Sequence, residues 1–197
     1  VMISDAGDNV TAGAPGDMTV VLRRLIALEA SDTIVAAIAD AAAVETCFEA
    51  GERNEVQLTV GGKLDPVHGE PLSITGRVAS LKTLYTEENG GQSAPGNKTA
   101  LVEVSGVNVV LTQRRMPFLN ISDFEPLGIV PQRYRIVVVK MGYLSPALQR
   151  TAAASLLALI PGAVNQELQS LRFERIERPM YPLDPGMHWH VPAYPER

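Results

Sequence analysis

Val1-Met2-Ile3 is a short apolar run that breaks into a loop of glycine and aspartate, Asp5-Ala-Gly-Asp8-Asn9 followed by Gly13, Gly16 and Asp17. From Val20 to Leu28 the apolar positions Val21, Leu22, Leu25, Ile26 and Leu28 recur at helical spacing, and Asp17 is placed to cap the start. Thr33 to Ile38 is continuously apolar and partly β-branched, the pattern of a buried strand. Asp40 then caps a second helix, Ala41 to Ala50, which Gly51 stops. Val56 to Val60 alternates apolar and polar as a strand does. The first sixty residues therefore predict strand–helix–strand–helix–strand, with right-handed crossovers wherever the strands are parallel.

The pattern then changes. Gly61-Gly62, Asp65-Pro66 and His68-Gly69 make a turn-rich loop. Pro71 to Thr86 alternates through Leu72, Ile74, Val78 and Leu81, with Gly76 read as a bulge. Glu87 to Asn97 is polar, with glycines and a proline, and predicts a mobile hairpin tip. Thr99 to Val104 and Val107 to Thr112 are two strands around Ser105-Gly106. Residues 61–115 thus read as an antiparallel, β-rich insertion. Asn120 or Ser122 caps a short helix, Asp123 to Leu127, closed by Gly128. Arg135 to Lys140 carries four consecutive β-branched residues, as a central parallel strand would. Ser145-Pro146 opens a helix that reads on to about Ile160 and ends at Pro161-Gly162. If the strands ending near Asp5 and Lys140 lie side by side in one parallel sheet, their C-terminal ends share a crevice. The expected fold class is α/β, a mixed sheet with flanking helices and the antiparallel insertion. The domain spans 1–184. Five prolines after Arg172 mark a segment that wraps the surface or crosses to another domain, ending in a Pro-rich tail, 185–197.

Composition narrows the function classes. The 197 residues, 46% hydrophobic, can bury a substantial core. With 17 basic against 22 acidic residues the net charge is −5, which gives no electrostatic reason to expect a nucleic-acid partner. No apolar run approaches the roughly 18–20 residues that span a bilayer, and no signal-peptide pattern stands at the start, so the cytoplasm is the default compartment. Cys47 is the single cysteine and reads as a buried thiol in a helix. The chain opens with valine inside what reads as a strand, and an upstream domain is expected.

The loop between the first strand and helix is where α/β proteins build polar sites. Its aspartates argue against a phosphate and for hydroxyl, amine or metal-bound partners. Asp and Asn also form ordinary turns and caps. Asp8 and Asn9 are carried forward as cleft candidates, while Asp17, Gly13 and Gly16 read as loop and cap formers. Lys140, at the end of a buried strand, can hold a carboxylate or oxyanion, or simply reach solvent. Lys63, Asp65 and His68 share one glycine-framed loop, where a histidine could act as acid or base or belong to a plain turn. His188-Trp-His190 would project from one side of an extended chain, but a zinc site needs about three protein ligands and no third is paired with them. Arg114-Arg115 reads as a solvated strand end. Nucleophile-elbow, Walker, HExxH and dinucleotide signatures are all missing.

Several pieces in order carry a resemblance. They are Asp5-Ala-Gly-Asp-Asn9 with Gly13-Ala-Pro-Gly-Asp17, Val60-Gly-Gly-Lys63 with Asp65-Pro and His68-Gly, and Val107 to Thr112 with Arg114-Arg115. Gly128-Ile with Pro131, Ile136 to Lys140, and Arg178-Pro-Met-Tyr-Pro-Leu-Asp184 complete the set. Together they resemble the C-terminal domain of the microcystinase C (MlrC-like) metallopeptidases. The resemblance implies a two-domain hydrolase of small or linearised peptides, with zinc held by Asp, His and Glu residues of an N-terminal domain outside this chain and no metal ligand here. It implies that Asp8, Asn9, Lys140, Lys63 and His68 face the shared cleft. Asp8 and Asn9 would orient substrate or a ligand of the metal, and Lys140 would bind a substrate carboxylate. The partners expected are that N-terminal domain and a small peptide, without nucleic acid or membrane; a homo-oligomer is left open. The fragment alone would be inactive. Two other classes stay open: a non-catalytic interaction module, and an amidohydrolase acting on non-peptide amides.

Overall fold

The computed structural model describes residues 1–84 and 96–188. These build one eight-stranded sheet from β1 (Met2–Asp5), β2 (Thr33–Ala39), β3 (Glu55–Val60), β4 (Leu72–Leu84), β5 (Asn97–Val104), β6 (Val107–Thr112), β7 (Ile136–Val139) and β8 (Ser155–Ala158). Helices α1 (Val20–Ala27), α2 (Ala41–Ala50) and α3 (Pro146–Thr151) join them. The order across the sheet is β3-β4-β5-β6-β2-β7-β1-β8. From β6 to β8 every pairing is parallel, and from β3 to β6 every pairing is antiparallel. The α/β class holds, and the antiparallel insertion extends the parallel sheet because β6 pairs with β2.

β2 has no exposed residue along its length, and β7 is buried through Val137, Val138 and Val139. Both lie in the middle of the parallel half, where each face is covered, which is why their sequences are apolar without alternation. On one face α1 and α2 pack Leu22, Leu25, Val44 and Cys47 against Val35, Val109 and Val138. On the other, Phe118, Phe124, Leu127, Ile129 and Leu148 pack against Ile34, Val110 and Val137. The Phe118 and Phe124 rings meet edge-on at 4.8 Å between centroids. Ser105 and Gly106, both at positive φ, form the two-residue turn between β5 and β6.

Five expectations change. β3 is the far edge of the antiparallel half, with three strands between it and β2; its alternating burial is that of a strand with one wet face. β7 lies between β1 and β2, so the opening strands are not neighbours. The irregularity in β4 falls between Val78 and Ser80, not at Gly76, whose missing side chain instead allows the Glu103 carbonyl close: a Cβ would lie 2.5 Å from that oxygen. The helix expected over 145–160 ends at Thr151, and Ser155–Ala158 becomes β8, because the open edge of β1 takes a parallel partner there. The short helix expected over 123–127 is a pair of 3-10 turns, Ile121–Asp123 and Glu125–Leu127. Of the expected hairpin tip, residues 87–95 lie outside the described residues, as does the tail from 189 onward, including His190. No helix among the described residues is long and apolar enough to cross a membrane.

Candidate functional site

The C-terminal ends of the parallel strands deliver three charged residues to one edge of the sheet: Asp5 ends β1, Asp40 follows β2 and Lys140 follows β7. β1 and β7 are adjacent and in register, Ser4 opposite Val139, which brings Asp5 and Lys140 together. The Lys140 ammonium lies 3.0 Å from Asp5 Oδ2 and 2.7 Å from Asp8 Oδ2, and donates to the Met18 carbonyl at 2.8 Å. All three of its protons are thereby engaged. Burial works against that ammonium, but the adjacent Asp5 and Asp8 carboxylates outweigh it and hold the lysine above its ordinary range. Asp8 is fully buried and also accepts from the Gly16 and Met18 N–H groups, each at 2.8 Å. Asp5 Oδ1 accepts from the Asp8 N–H. One lysine and two carboxylates thus lace residues 5–18 across the strand ends. Gly16 permits this: its φ is +80°, and a Cβ there would stand 2.6 Å from Val10. Gly13 closes the 3-10 turn Val10–Ala12, whose first N–H groups are capped by Asn9 through the Thr11 N–H at 3.0 Å.

The second wall is the loop 61–69. Asp17 does not cap α1; the cap position is Thr19, which makes no side-chain capping bond. Its carboxylate is instead turned to this loop, where Oδ2 accepts from the N–H groups of Lys63, Leu64 and Asp65 at 2.7, 2.6 and 3.4 Å. Three successive N–H groups converging on one oxygen make a stronger anchor than a helix cap offers, which is why the local signal misleads. Thr19 Oγ1 donates to the Glu70 carbonyl and closes the far end of the loop. Lys63 reaches Asp40 Oδ2 at 2.7 Å and the Thr59 carbonyl at 2.7 Å. Asp40 meanwhile caps α2 through the Ala43 N–H, as its sequence position predicts. Asp65, itself buried, receives the N–H groups of Val67 and His68 and the His68 imidazole, whose Nδ1 stands 2.8 Å from Oδ2. Burial pushes the Asp65 carboxyl up, but these hydrogen bonds together bring it below the usual carboxylate range. The His68 side chain remains 38% exposed.

The third wall is the segment after β8, beginning where the sequence pattern places a helix stop at Pro161-Gly162. It passes so close to the opening loop that side chains are excluded on both sides. A Cβ on Gly162 would lie 2.1 Å from the Gly7 carbonyl oxygen, and one on Gly7 would lie 2.2 Å from that of Ile160. The Val164 N–H donates to the same Gly7 oxygen. Between this segment and the second wall is a groove of about 500 Å³, lined by His68, Pro161 to Asn165 and Leu171. Beside it, the side-chain amides of Asn9 and Gln166 both close over Gly142. Arg115, expected at a solvated strand end, donates to the Gly13 carbonyl at 3.1 Å and ties the opening loop from the opposite side.

The structure therefore brings Asp8, Asn9 and Lys140 together and sets His68 across the groove from 161–165. Lys63 lies on the same loop as His68 but is drawn to Asp40. Gly142, Gln166 and Asp40 carry no local sequence signal of these partnerships beyond the helix-cap pattern of Asp40. Asp5 and Asp8 do not fit a metal ion, because the Lys140 ammonium occupies the point between them. No group of three or more His, Cys, Asp or Glu side chains among the described residues could hold one.

Comparison with known proteins agrees with this architecture. The family model described as MlrC C-terminus matches residues 3–175. Microcystinase C of Sphingomonas sp. is 26% identical over 186 residues, covering 94% of this chain and 36% of its own length. A crystal structure of a protein named putative metallopeptidase, from Mesorhizobium sp. BNC1, superposes with a TM-score of 0.77 over 96% of this chain and 38% of its own, at 24% identity; that likeness is one of fold. The chain thus spans little more than a third of the relatives it matches.

Proposed function

The chain belongs to the MlrC C-terminus family, and from that premise we propose that it is the C-terminal domain of a metal-dependent hydrolase of small or linearised peptides. Residues 1–184 close the substrate cleft, and a zinc ion is held by residues of the longer protein that precede them. The observation that carries this reading is the convergence of three loops, 5–18, 61–69 and 161–166, at the C-terminal ends of parallel strands, where open α/β sheets bind ligands. Zinc, where bound, supplies Lewis acidity at the scissile carbonyl. This chain supplies walls, orientation and hydrogen-bonding groups.

In this reading the side chains of Asp8 and Lys140 act from beneath. Engaged with each other, they hold the backbone of residues 5–18 in place; Asn9, buried and with its Oδ1 taken by Thr11, acts in the same way, and the exposed Gln166 amide presents a donor and an acceptor to a peptide backbone. Lys63 acts in the same indirect way, through Asp40 and the base of its loop. The test is hydrolysis of a panel of short linear peptides by the longer protein, before and after treatment with a chelator. Metal-dependent cleavage is expected. A failure to cleave any peptide or simple amide would sink the reading. Cleavage of non-peptide amides alone would redirect it to an amidohydrolase.

A further inference from the structure

A surface histidine in an ordinary turn needs no fixed tautomer, yet His68 has one. Asp65 faces Nδ1 with both carboxylate oxygens, at 2.8 and 3.0 Å, so Nδ1 carries the proton it donates. Asp65 is in turn held by the chain: its N–H goes to Asp17, and its carboxylate receives two backbone N–H groups of its own loop. The loop is bolted to residues 17–19 at Gly62, Lys63, Leu64 and Glu70. The result is a rigid imidazole on a buried carboxylate. Its Nε2 is bonded to no other group among the described residues, and its ring lines the groove against Pro161 to Asn165. An oriented imidazole with one free nitrogen, backed by a carboxylate, is the arrangement that proton transfer requires.

We propose that His68 is a catalytic proton-transfer residue of the cleft, acting through Nε2 on a peptide or amide held in the groove, with Asp65 as its positioning residue. The assignment rests on the hydrolytic reading above. Hydrolysis joins the oxygen of water to the carbonyl carbon and breaks the C–N bond, and the departing nitrogen must gain a proton. The imidazolium gives that proton from Nε2. The neutral imidazole regains one from the water consumed, so the ring ends as it began. Asp65 keeps Nδ1 protonated throughout and holds the ring's edge toward the groove.

The experiment measures hydrolysis of a linear peptide by the longer protein carrying wild-type, His68→Asn, His68→Ala or Asp65→Asn sequence. Asparagine keeps an N–H donor toward Asp65 while removing the free nitrogen, so the loop stays latched. His68→Asn is expected to lower kcat about 100-fold or more, with KM within about threefold of wild type and an unchanged melting temperature. Free imidazole should restore part of the rate of His68→Ala, a recovery that a purely structural role would not give. Asp65→Asn should lower kcat about tenfold or more and alter the shape of the pH–rate profile. Wild-type kcat in His68→Asn, a change confined to KM, or no rescue by imidazole would each overturn the assignment and leave the hydrolytic reading intact. An inactive wild type would remove that reading and this assignment with it.

Discussion

Replacing Lys140 with methionine removes the ammonium that Asp5 and Asp8 share and leaves two carboxylates facing one another at 1% and 0% side-chain exposure. Methionine fills nearly the same volume, so the loss is electrostatic rather than one of packing. Breaking a buried pair by deleting one partner destabilises by about 3–5 kcal/mol, and here two carboxylates lose the same partner. In a domain of this size each kcal/mol moves the melting temperature by about 2–4 °C, so Lys140→Met should melt about 6–20 °C lower at pH 7. The pH dependence is diagnostic. An uncompensated buried charge costs more than a neutral carboxyl, so the penalty is largest at neutral pH and shrinks as the solution is acidified. Urea denaturation of wild type and variant at pH 7 and pH 5 measures both effects. A variant within about 1 kcal/mol of wild type at pH 7 would refute the reasoning, since that is no more than an exposed pair contributes. A deficit that does not shrink toward pH 5 would refute it equally.

Other outcomes follow from the same geometry. Cys47 is fully buried, and burial followed by the nearby Asp40 charge pushes its thiol up to about 11; it should resist thiol reagents at pH 8 until denaturant is added, and rapid labelling of the native protein would contradict this. Asp65 has a lowered folded pKa, so the stability it contributes is present above its unfolded value of 3.8 and lost as pH falls through the folded one. Limited proteolysis should accordingly show the 61–69 loop intact at pH 6 and opening below about pH 4. Gly162→Ala forces backbone apart at Gly7 and should destabilise by about 1–3 kcal/mol, measured by thermal melting; an unchanged melting temperature would mean the two segments separate freely.

Much of this was legible in the chain, for identifiable reasons. β2 and β7 announce themselves because strands covered on both faces have no polar period to hide behind. α2 is framed by Asp40 and Gly51, whose capping roles are local chemistry. The adjacency of Asp5 and Lys140 follows once two apolar strands are placed side by side. What failed depended on partners distant in sequence. Asp17 looks like a helix cap because nothing nearby reveals that three N–H groups of residues 63–65 will compete for it. Residues 155–158 look helical because Leu156 and Leu157 can serve either structure; the unfilled edge of β1 decides for a strand. The groove against 161–165 was not legible either, since it depends on β8 pairing with β1 and carrying that segment back along the opening loop. The pairing of His68 with Asp65 was the reverse case. Both residues stood in view within four positions, but only the fold shows the carboxylate buried and the ring turned to an open groove.

The claim that this domain forms one wall of a substrate cleft is tested most directly by filling the groove. Ala163 is exposed on its lining, so Ala163→Trp in the longer protein should fold normally while occupying space that a peptide needs. A tryptophan at the equally exposed Glu49 of α2, on the helix-covered face, serves as the control. Measured as kcat/KM for a linear peptide, Ala163→Trp should lose about tenfold or more while Glu49→Trp stays at the wild-type value. Equal, undiminished kcat/KM in both variants would place the substrate elsewhere and contradict the account.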